Sequence, residues 1–204
     1  WFEFTVREHV RGFVQLVRYA DDFVIAVQYG DDAKRIEAAV KNRFAKSGLE
    51  LHPAKSRCMS FGRYEKQNAE TQKRKPNTFD FLGFTHFCDK TRSGRFKLGH
   101  RTQRKKFVKA CKSMWEWLKA IRNQAKAEDW WKTLAAKLRG HFNYYGISGN
   151  YPDISRFYFK TLRTARYWMN RRSQRKTLTV VKFRNYLEWH PLPKPEIKHA
   201  IYVY

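Results

Sequence analysis

Near residue 100 the hydrophobic residues of this chain change their spacing, from runs typical of strands to a helical period, and that change confines it to an α+β architecture. Before the change, residues 13–29 (FVQLVRYADDFVIAVQY) form two β-rich apolar runs separated by Ala20, Asp21 and Asp22. This is a hairpin pattern with acids at its tip. Residues 31–47 are a helix candidate, with Ala33, Ile36, Val40 and Phe44 on one face. Asp31 and Asp32 suit the positive end of a helix dipole, and Gly48 stops the element. Leu49–Phe61 reads as a strand interrupted by His52-Pro53. The charged and polar stretch 62–78 is expected to be a loop or mobile insertion. Phe79–Phe87 and Arg95–Leu98 are short strands joined through a turn at Ser93-Gly94.

From residue 101 the period is helical. In 101–126 an apolar stripe of Phe107, Cys111, Met114, Leu118 and Ile121 runs beside a lysine-rich side. A second helix is expected over 129–145, with Trp131, Leu134, Leu138, Phe142 and Tyr145 in register and Gly146 at its end. A third is expected over 153–172, through Ile154, Tyr158, Leu162, Ala165 and Met169. A shorter fourth covers 179–189, capped by Thr179, and Pro191, Pro193 and Pro195 end the helical structure. The expected fold is therefore α+β: an antiparallel sheet with a helix, followed by an all-α region. There is no internal repeat.

Charge follows the same division. Residues 1–60 carry 10 Lys/Arg against 8 Asp/Glu, and residues 61–204 carry 33 against 10, within a total of +25. Such a field attracts a polyanion. With 17% aromatic residues at helical spacing, the basic half reads as a packed domain that binds nucleic acid rather than a membrane-surface helix. No run of 18 apolar residues exists, so no membrane span is expected. Cys58, Cys88 and Cys111 form neither a disulfide framework nor a zinc site, which fits a reducing, cytoplasmic setting. No signal peptide is read, and a start at Trp1 inside ordered-looking sequence suggests a piece of a longer protein.

Two adjacent carboxylates between apolar strands are costly unless a positive charge neutralises them. Magnesium, which prefers a few carboxylates plus substrate phosphates, does so readily. A solvated turn, where Asp is common, is the plain alternative. Order along the chain favours the metal. Tyr19-Ala20-Asp21-Asp22 resembles the YxDD box of reverse transcriptases, in the Ala form usual for group II intron enzymes. Gly48-Leu49-Glu50-Leu51-His52-Pro53-Ala54-Lys55-Ser56 is similar to the next block of that family, and Phe79-Asp80-Phe81-Leu82-Gly83-Phe84 to the block that grips the primer. The resemblance extends over essentially the whole chain.

The resemblance implies roles. Asp21 would be a principal ligand of catalytic Mg2+ and Asp22 its weaker neighbour. Tyr19 and Ala20 would lie beside the primer terminus and incoming deoxynucleoside triphosphate. Lys55 would sit near the triphosphate and neutralise or protonate the leaving pyrophosphate. Phe81, Leu82 and Gly83 would form the primer grip. The family takes a third Asp from a block upstream of the hairpin. Only Glu3 and Glu8 occur in residues 1–12, and neither sits in such a block. The chain by itself is not expected to polymerise.

Residues 101–190 resemble the thumb and maturase domain of the same family, most recognisably at Leu138-Arg139-Gly140-His141-Phe142-Asn143-Tyr144-Tyr145-Gly146 and at Trp168 through Arg171-Arg172-Ser173-Gln174-Arg175. Arg139, Arg171, Arg172 and Arg175 are expected to face RNA phosphates. Tyr144, off the apolar stripe, is a candidate to stack on an unpaired base. Asn143 either bonds RNA or fixes the turn after its helix. Trp131, Leu138, Phe142 and Met169 read as core. The seven histidines (9, 52, 86, 100, 141, 190 and 199) have no metal-ligand spacing.

The implied organisation is a palm end over 1–98, a thumb helix over 99–127, a maturase-specific helical domain over 128–190 and a tail over 191–204. The implied partners are group II intron RNA, an RNA template with a DNA primer, and deoxynucleoside triphosphates, with a second copy of the chain as a further candidate. A non-catalytic maturase-type RNA-binding protein that keeps a palm remnant is the alternative. An unrelated basic ribosome- or tRNA-associated protein would explain the charge but not the three ordered blocks.

Overall fold

The computed structural model describes residues 1–53, 55–124, 126–172 and 178–200. The chain is α+β and divides into two units, 1–82 with 88–97, and 83–87 with 98–204.

The first unit opens with a π-helical turn over Phe2–Val6 and a 3-10 turn over Arg7–His9. Strands β1 (Val14–Tyr19) and β2 (Asp22–Val27) pair antiparallel, from Val14 opposite Val27 to Tyr19 opposite Asp22. Alternation turns Val14, Leu16, Phe23, Ile25 and Val27 toward a core with Phe2, Val6, Ile36 and Val40, while Gln15, Val17 and Tyr19 are exposed. Helix α1 (Gly30–Lys46) lays Ile36, Val40 and Phe44 on this core, and Phe44 meets Phe23 edge-on at 6.0 Å. Gly48 takes φ +68°, and the N–H of Leu49 bonds back to the carbonyl of Phe44, a glycine C-cap.

Two expectations fail between residues 49 and 78. The described residues of 49–61 form no strand. Pro53 removes a ladder donor, and the carbonyl of His52 accepts from the N–H groups of Lys55 and Ser56, closing a turn instead. The stretch 62–78 is an ordered element rather than a mobile insertion, containing helix α2 (Glu65–Thr71). Its order comes from Glu65, which is buried. One carboxylate oxygen takes the Arg74 guanidinium at 2.5 Å and the Asn77 N–H at 2.8 Å, and the other takes the Ser60 hydroxyl. Those bonds hold the Glu65 carboxyl down at about 2, Arg74 contributing most. A charged composition concealed a closed polar network.

Strands β3 (Thr78–Phe81), β4 (Phe84–Lys90) and β5 (Phe96–Thr102) lie in the order β3-β4-β5, the last two joined by a turn in which Gly94 has φ +79°.

The second unit is dominated by α3 (Arg104–Ile121), α4 (Ala127–Tyr145), α5 (Tyr151–Asn170) and α6 (Val180–Trp189). The expected stripes of α3 and α4 are in the core, with Leu118, Leu134, Leu138 and Phe142 fully enclosed. Helix α5 is rotated from its expected face. It buries Ile154, Phe157, Thr161, Ala165 and Trp168, leaving Tyr158, Leu162 and Met169 partly covered. Adjacent positions lie 100° apart on a helix, so a wide apolar face does not specify which stripe points inward. Thr179 caps α6, its hydroxyl accepting from the N–H of Lys182. The indole of Trp131 donates to the carbonyl of His190, holding the chain after α6. Farther on, Lys198 and His199 donate their N–H groups to the carbonyl of Gly146. A Cβ at Gly146 would stand 2.6 Å from the carbonyl oxygen of Glu196, so only glycine admits the tail there. Among the described residues no helix is long and apolar enough to cross a membrane.

Candidate functional site

Asp21 and Asp22 sit where β1 turns into β2. Ala20 and Asp21 are the two turn residues, and Ala20 takes φ +50°. An L-residue enters that region at a cost, and a two-residue hairpin turn demands it. The Arg18 guanidinium donates to the carbonyl of Ala20 at 2.9 Å, bracing the turn. Tyr19, the residue before it, is 66% exposed.

Both carboxylates are exposed, and neither makes an ion pair or side-chain hydrogen bond among the described residues. This corrects the reason expected for a metal there. β1 and β2 bury only one face, so no desolvation penalty forces a counter-ion onto the tip. What remains is donor chemistry: two adjacent, uncommitted carboxylates fit part of a magnesium ligand set, whose other positions water and phosphate fill. Among the described residues no three His, Cys, Asp or Glu converge as a metal site. The pair therefore fits as two ligands of an incomplete set. Asp32 shows the contrast within one unit. It is 1% exposed, accepts from the N–H of Arg11, and lies near the guanidinium groups of Arg11 and Arg35 at 3.6 and 3.4 Å. It fastens the start of α1 and is committed to structure.

Lys55 is exposed within the His52 turn and pairs with neither Asp21 nor Asp22 among the described residues; Ala54 beside it lies outside them. Phe81 ends β3, and Leu82 and Gly83 join it to β4. Leu82 has φ +48° and Gly83 φ +78°, the pair of positive angles that a tight hairpin turn requires. The described non-glycine residues with positive φ are Ala20, Lys73 and Leu82. Two of these three fall on residues expected to touch primer or nucleotide, and strained backbone concentrates at functional sites.

In the second unit Gly83 accepts the N–H of Gln103, and a Cβ on it would come within 3.3 Å of the Tyr145 hydroxyl. Phe84 is buried under Tyr144 and Tyr145, at ring distances of 6.0 and 5.3 Å. Tyr144 thus has one face committed to Phe84, nearly parallel to it at 13°, while 55% of the residue stays exposed. Asn143 is exposed on α4, with Nε2 of His199 2.9 Å from its carbonyl oxygen. Arg139, Arg171 and Arg172 are exposed, and Arg175 lies outside the described residues. Trp168, read with the basic motif, is instead buried, with the Arg122 guanidinium over its ring at 4.7 Å.

Two elements of this unit had no signal in the spacing of residues. Asn150, 1% exposed, accepts the N–H of Thr102 and donates to the Thr102 hydroxyl and the Tyr145 carbonyl, tying β5 to the junction of α4 and α5. His141 stacks on Phe157 at 3.7 Å, and burial pushes its imidazole down to about 4, so it is neutral at physiological pH.

Residues 3–86 match the family model described as reverse transcriptase (RNA-dependent DNA polymerase). That stretch contains the Asp21-Asp22 hairpin, α1, the His52 turn and the Leu82-Gly83 turn. Comparison with curated proteins gives no match, and comparison with solved structures gives none.

Proposed function

We propose that this chain works in RNA-directed DNA synthesis as the end of a polymerase palm, thumb and maturase domain of the group II intron type, binding intron RNA through its basic helical half and assisting splicing. The observation that carries the reading is the position of Tyr19-Ala20-Asp21-Asp22. These residues lie on a hairpin turn, inside the stretch that matches the reverse transcriptase family, with both acids uncommitted. Asp21 and Asp22 would hold Mg2+, which when bound lowers the pKa of the attacking hydroxyl and stabilises the departing pyrophosphate. Tyr19 and the strained Ala20 would set the primer end beside them. The Leu82-Gly83 turn would carry the primer strand close to backbone. On this reading the third carboxylate comes from a block upstream of the hairpin, as in the family the chain resembles.

The test is primer extension on an RNA template with Mg2+, the missing carboxylate being supplied by a fused fingers-and-palm segment. Extension should occur, and Asp21→Ala should abolish it while RNA affinity stays within a few-fold. Extension by the alanine variant would remove the metal assignment. Charge reversal at Arg171 and Arg172 should weaken RNA binding and lower its salt dependence, because each lost phosphate contact reduces counterion release. A non-catalytic maturase-type factor is the second reading, favoured by the same incomplete ligand set. It predicts RNA binding and splicing assistance with no extension by any such fusion.

A further inference from the structure

A groove of about 800 Å³ runs between α3 and α5. Its floor is apolar, built from Phe107, Cys111 and Met114, and its rim is cationic, with Lys112 on one helix and Lys160, Arg163 and Arg166 on the other. Among the described residues no Asp or Glu lines it. Lys160, Arg163 and Arg166 recur at every third residue, a file stepping roughly 4.5 Å along α5. At the Arg171 end, Trp115 and Tyr167 lie 5.1 Å apart, tilted by 31°, and the Arg171 guanidinium covers Tyr167 at 5.0 Å. Thr161 lies in the floor, 2% exposed, and its hydroxyl has no hydrogen-bond partner among the described residues. Leaving a buried hydroxyl unpaired is costly, because the group has lost water without gaining a partner. Asn170, also in the lining, is by contrast committed: its side-chain amide bonds both the N–H and the carbonyl of Leu178.

We propose that this groove receives an unpaired base of single-stranded RNA, with the flanking phosphates on the lysines and arginines of the rim. The proposal rests on the RNA-binding reading above and names a subsite that reading does not contain. A file of cations tracks a phosphate backbone, a half-exposed aromatic pair offers a stacking platform, and the Thr161 hydroxyl supplies a donor and acceptor for a base edge or ribose. A volume near the upper end of ligand pockets, about 300–1,000 Å³, accommodates a nucleotide. An acidic amphipathic helix would match the charge. It would leave the aromatic platform and the buried hydroxyl without a role.

The experiment is a binding titration of the whole chain, followed by tryptophan fluorescence, with 12-nucleotide single-stranded RNA, the same RNA carrying one abasic site, and a blunt RNA duplex. Ultraviolet crosslinking maps the contact. Tyr167→Ala should weaken single-stranded RNA about 10-fold and the duplex less than 2-fold, and should abolish the penalty of the abasic site. Tyr167→Phe keeps the ring and should bind normally. Thr161→Val, which preserves volume, should weaken single-stranded RNA a few-fold. The crosslink should fall on Trp115 or Tyr167. If RNA still binds the wild-type chain but Tyr167→Ala and Lys160→Glu/Arg163→Glu leave its affinity unchanged, the groove assignment is overturned and the RNA-binding reading stands. A wild-type chain that binds no RNA overturns both. An acidic amphipathic peptide that binds more tightly than RNA and displaces the crosslink overturns the assignment in favour of a protein partner.

Discussion

The two units solve the problem of burial differently. Among its described residues the first has a core cluster of five, Phe2, Val6, Val14, Ile36 and Val40, and leaves Phe4, Phe13, Val17 and Tyr19 exposed. Among the described residues the second encloses fourteen, three of them tryptophans, with thirteen partly buried residues packed against them. The thin unit carries the uncommitted acids and the strained Ala20, while the thick one carries most of the charge. The candidate site sits where the fold has least to lose, since an exposed hairpin tip tolerates residues that no core would accept.

The sharpest way to break this comparison is a matched pair of core truncations. Both Leu138→Ala and Ile36→Ala delete buried methyl groups, with costs of about 2–5 kcal/mol. Leu138→Ala is expected at the upper end, because it is fully enclosed in the larger core, and Ile36→Ala, 4% exposed in the smaller one, at the lower end. Urea denaturation measures both, and equal or reversed costs would mean the first core is as well packed as the second.

Acid should separate the units next. His141, in the second, has its folded value depressed below that of the unfolded chain, from 6.5 to about 4. Unfolding therefore takes up a proton, and stability present at neutral pH is lost as pH falls from about 6.5 toward 4. Glu65, in the first, is depressed from 4.5 to about 2, so its contribution persists above pH 4.5 and is lost only as pH falls through that lower window. Each loss is at most about 3–4 kcal/mol. Hydrogen exchange resolved by unit should show amides of α4 and α5 deprotected at a higher pH than those of α2. His141→Phe should flatten the upper limb and Glu65→Gln the lower one, and loss of protection in the opposite order would contradict both assignments.

Smaller effects sharpen the account of the hairpin. Ala20→Gly relieves φ +50° but adds unfolded-state freedom, so a net stabilisation of about 0.5 kcal/mol is expected in thermal denaturation. A clear destabilisation would mean the Ala20 methyl is packed. Least of all, Asp21→Ala should shift stability by no more than about 0.5 kcal/mol, as for an exposed side chain without partners. A larger loss would show that the acid holds the turn.

Much of the architecture follows from local pattern. The Asp21-Asp22 hairpin, the glycine stop at Gly48 and the helical stripes through Leu118 and Leu138 all depend on residues within a turn or two of each other. Periodicity and capping report such neighbours directly. The same holds for the candidate site, where the Tyr19-Ala20-Asp21-Asp22 and Leu82-Gly83 turns are contiguous stretches.

Tertiary structure decided what depends on distant partners. It determined that Glu65 is buried because Arg74, Ser60 and Asn77 close around it, which no charge count over 62–78 could convey. It selected Phe157, Thr161 and Trp168 as the inner face of α5 over the neighbouring stripe, since both were apolar enough and only the packing of α3 and α4 discriminates between them. It left Asp21 and Asp22 in solvent while enclosing Asp32, three acids of the same composition with different fates. Desolvation and pairing are properties of the surroundings, and a chain that lists its residues in order does not list what surrounds them.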